Sequence, residues 1–124
     1  MANEYIPGVC NIGEEEISRR RKLGWIGLAV AVVLFAVLFW VGVDVWWRLL
    51  VFFPAAFSAS GFLQAHFGFC SGYARTGVFN FGMPGKTTVV ADEASKAKDR
   101  KKGSRITMYA VLIGALVALA CVFV

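Results

Sequence analysis

The sequence predicts an all-α integral membrane protein with three transmembrane helices, a cytoplasmic N-terminus and a C-terminus on the outer side. Three long apolar stretches lie at residues 23–43, 45–69 and 106–124. Each can cross a membrane, because a helix of roughly 20 residues spans the ~30 Å hydrocarbon core of a bilayer. The composition agrees, since 58% of the residues are hydrophobic and the mean hydropathy is +0.64, both high for a soluble domain.

The positive charges predict how these spans are oriented. Of the 13 Lys and Arg residues, four lie at residues 19–22, before the first span, and eight lie at residues 75–105, after the second. Only Arg48 lies on the other side. Because cytoplasmic segments are rich in Lys and Arg, we expect the N-terminus and the 70–105 loop to be cytoplasmic and the turn at residues 42–44 to be outside. We expect a bacterial-type inner (plasma) membrane.

These patterns divide the chain into four segments. They are a cytoplasmic arm with the start of an interfacial helix at 1–22, a transmembrane helical hairpin at 23–69, a basic cytoplasmic loop with a short helix at 70–105, and a third transmembrane helix at 106–124. The first helix is predicted to begin after Asn11 or Gly13, because three glutamates follow and the helix dipole favours negative charge at an N-terminus. No removable signal peptide is predicted, since the first 22 residues lack a short apolar core.

The basic loop is predicted to contain a glycine- and aromatic-rich part and a short helix. Residues 71–85 favour a re-entrant or interface-hugging loop at the inner leaflet, and residues 89–102 favour a helix with acidic residues first and basic residues last. Gly103 and Ser104 are predicted to end that helix. The surplus positive charge of the loop predicts contact with anionic lipid headgroups and no nucleic-acid partner.

The second span begins with residues that anchor helices at a membrane surface. Trp46, Trp47 and Arg48 are predicted interface anchors, because amphipathic rings and cations collect at that depth. Pro54 lacks a backbone N–H and predicts a kink inside this span.

Small residues at helical spacing predict two helix-packing faces. Small side chains let helices approach closely where lipid offers no hydrophobic driving force. The two stripes are Gly24, Gly27 and Ala31 in the first span, and Ala110, Gly114 and Ala118 in the third. The sequence leaves open whether each face contacts another span, a second copy or a foreign subunit.

Two thiols and the one histidine of the chain are predicted to lie near the same membrane surface. His66 and Cys70 are four residues apart on one helical face, and the topology brings Cys10 to the same side. The trio can be structural, can form a cytoplasmic thiol pair for redox or sulfur chemistry, or can bind zinc through soft ligands. A fourth ligand is missing, and no cofactor is predicted. Cys121 lies at the far end of the third span and is predicted to be an apolar filler.

Two short patches resemble the small inner-membrane domain of the YgaP type, a rhodanese-associated family without a settled activity. The patch before the first span consists of Asn11, Ile12, Gly13, Glu16 and Arg20. The patch after the second span consists of Gly68, Phe69, Cys70, Ser71, Gly72, Tyr73 and Gly77, with serine where the family has proline. The resemblance covers about residues 11–80. It implies a two-helix hairpin with both ends cytoplasmic that dimerises, and it matches Cys70 to the cysteine of the family motif.

The sequence therefore predicts a function that depends on contact rather than catalysis. It contains no Walker loop, no GxSxG and no HExxH motif. The first hypothesis is a non-enzymatic accessory or packing subunit that binds another membrane protein or itself through the two small-residue faces. The alternative is a thiol- or sulfur-handling membrane protein that uses Cys70 with Cys10. A third interpretation is a channel formed by oligomers.

Overall fold

A computed structural model describes residues 5–82 and 87–124 and is about 75% helical. Helix α1 spans Glu14–Val41, a 3₁₀ segment spans Val45–Val51, helix α2 spans Phe52–Phe67, helix α3 spans Ser71–Thr76, and helix α4 spans Glu93–Val122. Three helical segments, formed by α1, by the 3₁₀ segment with α2, and by α4, are long and apolar enough to cross a membrane. This confirms, within the described residues, the prediction of three helices that are able to cross a membrane.

Helix α1 begins where its charges predict. Its first residue follows Gly13, and Glu14, Glu15 and Glu16 occupy the first turn, where they interact favourably with the helix dipole. The helix continues without a break to Val41. It ends at Gly42, whose φ of 74° is left-handed and favours glycine.

Helix α4 corrects the prediction of a separate short helix in the basic loop. The prediction that Gly103 and Ser104 end a helix is wrong, because α4 runs through both residues as one helix of 30 residues. Gly103 lies where α3 approaches: a Cβ atom on it would lie 3.2 Å from the Cβ of Ala74. This tertiary contact outweighs the cost of about 1 kcal/mol that a glycine imposes on a helix interior. The helix begins after Asp92, whose side chain accepts a hydrogen bond from the backbone N–H of Ala94.

The second span changes its helical form near Pro54. The chain passes from the 3₁₀ segment into α2 at Phe52, and Pro54 therefore occupies the first turn of an α-helix. The 3₁₀ segment supplies carbonyl acceptors to this turn, since the Phe52 N–H bonds to the carbonyl oxygens of Leu49 and Leu50, and Pro54 has no N–H to continue that ladder.

The segment after α3, where the sequence predicts a re-entrant or interface-hugging loop, contains a small sheet. Strands β1 (Val78–Phe79) and β2 (Thr88–Val89) pair antiparallel, and Asn80 continues in a parallel bridge to Ile12. The N-terminal arm is thus tied to the loop, and the fold is not purely helical. Residues 1–4 of the predicted arm and residues 83–86 of the predicted loop lie outside the described residues.

Helix α2 packs against both α1 and α4. A Cβ atom on Gly61 would lie 2.8 Å from the backbone nitrogen of Gly24, so the backbones of α2 and α1 approach too closely for any side chain there. The Ser58 hydroxyl donates to the carbonyl oxygen of Gly24 at 2.7 Å. On the other side of α2, a Cβ atom on Gly114 would lie 2.8 Å from the Cβ of Ala56.

The outward surface of the three helices is apolar. In the most apolar 18-residue part of each helix, only 17%, 28% and 22% of the residues, in chain order, are buried inside the chain. Large side chains such as Trp40, Val33 and Leu116 are 91%, 61% and 67% exposed. A surface of this kind is stable in contact with hydrocarbon and unfavourable in water.

Candidate functional site

The backbone of Cys70 is held by the side chain of Asn11. The Asn11 Oδ1 accepts a hydrogen bond from the Cys70 N–H at 2.6 Å, and the Asn11 Nδ2 donates to the Cys70 carbonyl oxygen at 3.1 Å. Asn11 is fully buried, so both bonds are shielded from water. The backbone of the N-terminal arm adds a third contact, from the Asn11 N–H to the carbonyl oxygen of Gly68 at 3.1 Å.

The sulfur of Cys70 accepts two hydrogen bonds. Cys70 precedes α3, and its Sγ accepts from the backbone N–H of Tyr73 at 3.4 Å, as an N-cap side chain does. The second donor is the Nη2 of Arg20 on α1, at 3.0 Å. The residue is 6% exposed, so α1 and the start of α3 enclose it.

Glu16 lies completely buried beside this thiol. Its Oε2 accepts from the Tyr73 hydroxyl at 2.5 Å and from Arg20 Nη2 at 3.5 Å, and its Oε1 accepts from Arg19 Nη1 at 3.5 Å. Burial raises the pKa of the Tyr73 hydroxyl, and the hydrogen bond to Glu16 and its negative charge raise it further. We call Asn11, Glu16, Arg20, Cys70 and Tyr73 the polar cluster. It connects the N-terminal arm, α1 and α3 through buried charge-assisted hydrogen bonds.

The two patches that resemble the YgaP-type domain meet in the polar cluster. Asn11, Glu16 and Arg20 come from the patch before the first span, and Cys70 and Tyr73 come from the patch after the second. Four hydrogen bonds of the cluster join a residue of one patch to a residue of the other. Of the five, the sequence singled out only Cys70 as a site residue. The spacing of Glu16 and Arg20, four residues apart on a helix, was the one local signal for the rest.

The predicted trio of Cys10, His66 and Cys70 does not form a donor set. Cys10 and Cys70 are buried, whereas His66 is exposed and its ring packs on Phe67 at 5.0 Å between centroids. Residues 5–82 and 87–124 contain no group of three His, Cys, Asp or Glu side chains placed to hold a metal ion. All three cysteines are free of disulfide bonds, and Cys121 lies in the last turns of α4.

The predicted interface anchors occupy two different environments. Trp46 and Trp47 are 65% and 57% exposed, as expected of rings that face a membrane surface. Arg48 is only 9% exposed, and its Nη1 donates to the carbonyl oxygens of Cys121 and Val124 at 3.2 and 3.1 Å. Arg48 is thus held by the bundle, and its role as an anchor at a membrane surface stays a prediction. Its guanidinium satisfies carbonyl groups that the end of α4 leaves without partners.

The predicted packing residues all lie inside the helical bundle. Gly24, Gly27, Ala31, Ala110, Gly114 and Ala118 are all buried. Close neighbours of Gly24, Gly27 and Gly114 come from α2. Each small-residue face thus contacts another span of the same chain through its glycines, which is the first of the three alternatives.

A second buried carboxylate fixes the N-terminal arm to α4. Asp99 is fully buried, and its two oxygens accept from the Tyr5 hydroxyl at 2.5 Å and from the Gly8 N–H at 2.8 Å. The Tyr5 ring stacks on Phe79 with centroids 4.6 Å apart. Burial, together with the hydrogen bond to Asp99 and its charge, raises the pKa of Tyr5.

No protein-family model matches the chain, and neither a curated protein nor a solved structure matches it.

Proposed function

We propose that this chain is a three-span protein of a bacterial-type inner membrane and acts as a non-enzymatic accessory subunit, in a membrane complex or as a homo-oligomer. The proposal places the N-terminus and the basic loop in the cytoplasm and the C-terminus outside, from the distribution of Lys and Arg. The YgaP-type resemblance of residues 11–80 supports the orientation of the hairpin, because both ends of that domain are cytoplasmic.

The observation that supports the accessory role is the burial of the side chains that could take part in chemistry. The carboxylates of Glu16 and Asp99 are completely buried, the thiol of Cys70 is 6% exposed, and each accepts hydrogen bonds from elsewhere in the chain. These contacts hold the arm, α3 and α4 together at one end of the bundle. The surface that remains for a partner in the membrane is apolar.

The partner surface differs from the one that the sequence predicted. Because Gly24, Gly27 and Gly114 pack against α2, we place the partner on an exposed surface, which of the two small-residue faces includes only Ala118. An open apolar groove of about 690 Å³, which we call the outer groove, lies between the 3₁₀ segment, the start of α2 and α4. Its lining includes Trp47, Leu50, Phe53, Ala118 and Leu119. We propose that a helix of a second membrane protein, or of a second copy, packs here.

Purification from the native membrane in mild detergent tests this role. Native gel electrophoresis and mass spectrometry should find the chain with a stoichiometric partner or as a homo-oligomer. Leu119→Trp fills the outer groove and should abolish that assembly, whereas Leu116→Trp, on the same helix but outside the groove lining, should keep it. A chain that isolates as a monomer, or an assembly that tolerates Leu119→Trp, would overturn the proposed surface.

The orientation is tested by labelling with a membrane-impermeant maleimide. Asp44 and Lys101 are both exposed, and they lie at opposite ends of the spans. Asp44→Cys should react in intact cells, and Lys101→Cys should react only after the membrane is permeabilised. Cys121→Ser in both variants removes the less buried of the native thiols. The opposite labelling order would reverse the proposed topology.

The second candidate function is thiol or sulfur handling by Cys70 with Cys10. It is favoured by the Arg20 guanidinium, whose Nη2 lies 3.0 Å from the Cys70 sulfur and is a suitable donor to an anionic sulfur species. This role requires that Cys70→Ser and Cys10→Ser abolish the cellular phenotype while assembly persists. The accessory role requires the reverse, and Cys121→Ser serves as the control cysteine for both.

A further inference from the structure

A polar cleft of about 240 Å³ lies between α3 and α4, beside the polar cluster. Ser71 and Arg75 of α3 and Arg100, Gly103 and Ser104 of α4 line it, and we call it the basic cleft. The volume is below the roughly 300–1,000 Å³ of pockets for drug-sized ligands, which suits a small charged group. The two helices thus bring two guanidinium groups to one opening.

Neither guanidinium has an acidic partner in the described part of the chain. The ion pairs there join Glu16 to Arg19 and Arg20, and Glu93 to Lys96. Asp99, one residue from Arg100, is completely buried and bonded to the N-terminal arm. The charges of the basic cleft are therefore available to an external anion.

The chemistry of the lining selects a phosphate group. Arginine presents planar N–H donors that match phosphate oxygens in pairs, and hydroxyl groups complete such sites. The Ser104 hydroxyl is exposed beside the two arginines. Two contacts hold α3 and α4 together at the cleft. The Ser71 hydroxyl donates to the Gly103 carbonyl oxygen at 3.2 Å, and Gly103 packs closely on Ala74.

The position along α4 selects a lipid as the source of that phosphate. Arg100 precedes the apolar stretch that begins at Ile106 by six residues, or about 9 Å of helix. The headgroup layer of a leaflet is roughly 5–8 Å thick, so Gly103 and Ser104, three and two residues before Ile106, lie within it, and Arg100 lies at its water-facing edge. This step rests on the membrane orientation proposed above. We propose that the basic cleft is a binding site for the phosphate of an anionic phospholipid headgroup.

A second basic surface nearby provides a matched control. Pro7, Gly8, Lys98, Lys101, Lys102 and Arg105 line another cleft on α4, of about 270 Å³. Lys98 and Lys101 are exposed lysines, like Arg75 and Arg100 in their charge and exposure. Lysine is a point charge without the planar donor pair of arginine, so it attracts an anionic surface without selecting a phosphate geometry.

Native mass spectrometry of the detergent-purified full chain tests the site. Phosphatidylglycerol is titrated against the wild type, against Arg75→Gln/Arg100→Gln, and against Lys98→Gln/Lys101→Gln, which removes the same charge. The arginine pair should weaken the binding of the first phosphatidylglycerol about tenfold or more, and the lysine pair by less than about threefold. Zwitterionic phosphatidylcholine should bind the wild type more weakly than phosphatidylglycerol.

The remaining measurements make each outcome decisive. Equal losses in the two double variants, or equal binding of the two lipids, would show general electrostatic attraction and overturn the site. Inorganic phosphate, at an ionic strength matched with chloride, should not displace the lipid. Displacement at millimolar concentration would assign the cleft to a soluble phosphate instead. Melting temperatures show whether each variant is folded. If the arginine variant is unfolded, Ser104→Asp replaces it, because the new negative charge beside the two arginines should weaken lipid binding in the same way. A negative result in the lipid titration does not change the expected result of the assembly experiment with Leu119→Trp.

Discussion

The side chain of Asn11 forms two hydrogen bonds with the backbone of Cys70, at 2.6 and 3.1 Å, across 59 positions of sequence. The Asn11 amide bonds to both the N–H and the carbonyl oxygen of Cys70, as the backbone of an adjacent β-strand would. The pair leaves neither polar group of a fully buried amide without a partner. Because Cys70 also caps α3, this one asparagine fixes the start of that helix against the N-terminal arm.

Asn11→Ala should destabilise the fold strongly. The substitution removes both bonds and leaves the buried N–H and carbonyl of Cys70 unsatisfied, which costs about 2–4 kcal/mol of unfolding free energy. Thermal unfolding in detergent, followed by circular dichroism, measures the loss. Thr76→Ala is the control, because its exposed hydroxyl bonds only to Gly72 and Tyr73 within its own helix. Equal melting temperatures of the Asn11 and Thr76 variants would contradict the role of the pair.

The bonds of Asn11 and Tyr5 also show why the sequence predicted the helices better than the site. Hydropathy and charge are local properties, and they predicted three apolar helices and the start of α1 after Asn11 or Gly13, of which Gly13 is the observed boundary. The partners of Asn11 and Tyr5 lie 59 and 94 residues away, and no local periodicity indicates such contacts. Within the polar cluster, only the spacing of Glu16 and Arg20 gave a local signal, and the contacts to Asn11, Cys70 and Tyr73 had none.

Two residues depart from their local preferences for the same physical reason. Gly103 and Arg48 carry strong local preferences, for the end of a helix and for a membrane surface. Packing against α3 keeps Gly103 helical, and the carbonyl groups at the end of α4 draw Arg48 into the bundle. In both cases the deciding contact belongs to a distant part of the chain. Local rules therefore fail where helices meet.

The stability of the end of the bundle that contains Tyr5 and Tyr73 should fall at alkaline pH. The pKa values of Tyr5 and Tyr73 are raised in the folded chain by burial and by the carboxylates of Asp99 and Glu16. The unfolded chain therefore loses these protons first, at its ordinary pKa of about 10. The stabilisation is fully present below that pH and is lost as the pH rises through the folded-state values.

Unfolding measured between about pH 8 and pH 11 should show this loss in the wild type and a shallower slope in Tyr5→Phe and in Tyr73→Phe. Thr76→Ala, an exposed position on α3 without a titrating group, is the control, and its slope should equal that of the wild type. Identical slopes in all four proteins would remove the two tyrosines from the alkaline transition.

Glycine to alanine substitutions should have opposite effects at two positions. Gly61→Ala places a Cβ atom 2.8 Å from the backbone nitrogen of Gly24, so α1 and α2 must separate, at a cost of about 1–3 kcal/mol. Gly72→Ala has only the Cys70 sulfur within 4 Å, at 3.8 Å, and lies in α3, where alanine should stabilise the helix by about 0.5–1 kcal/mol. Denaturant titration in micelles measures both. Equal effects at the two positions would contradict the close packing of the helices.

Arg48→Met should loosen the end of α4 without a general loss of fold. Methionine keeps the apolar contact with Phe39, over which the guanidinium lies at 5.3 Å, but it removes the donor to the carbonyl oxygens of Cys121 and Val124. We expect a loss of about 1–3 kcal/mol in the local opening free energy, and therefore faster amide hydrogen exchange in the last turn. Trp47→Met, at the neighbouring and 57% exposed position, should leave that exchange unchanged. Because both substitutions lie in the same 3₁₀ segment, a difference between them reports the contacts of Arg48 with the end of α4. Equal exchange rates would show that Arg48 does not stabilise the end of α4.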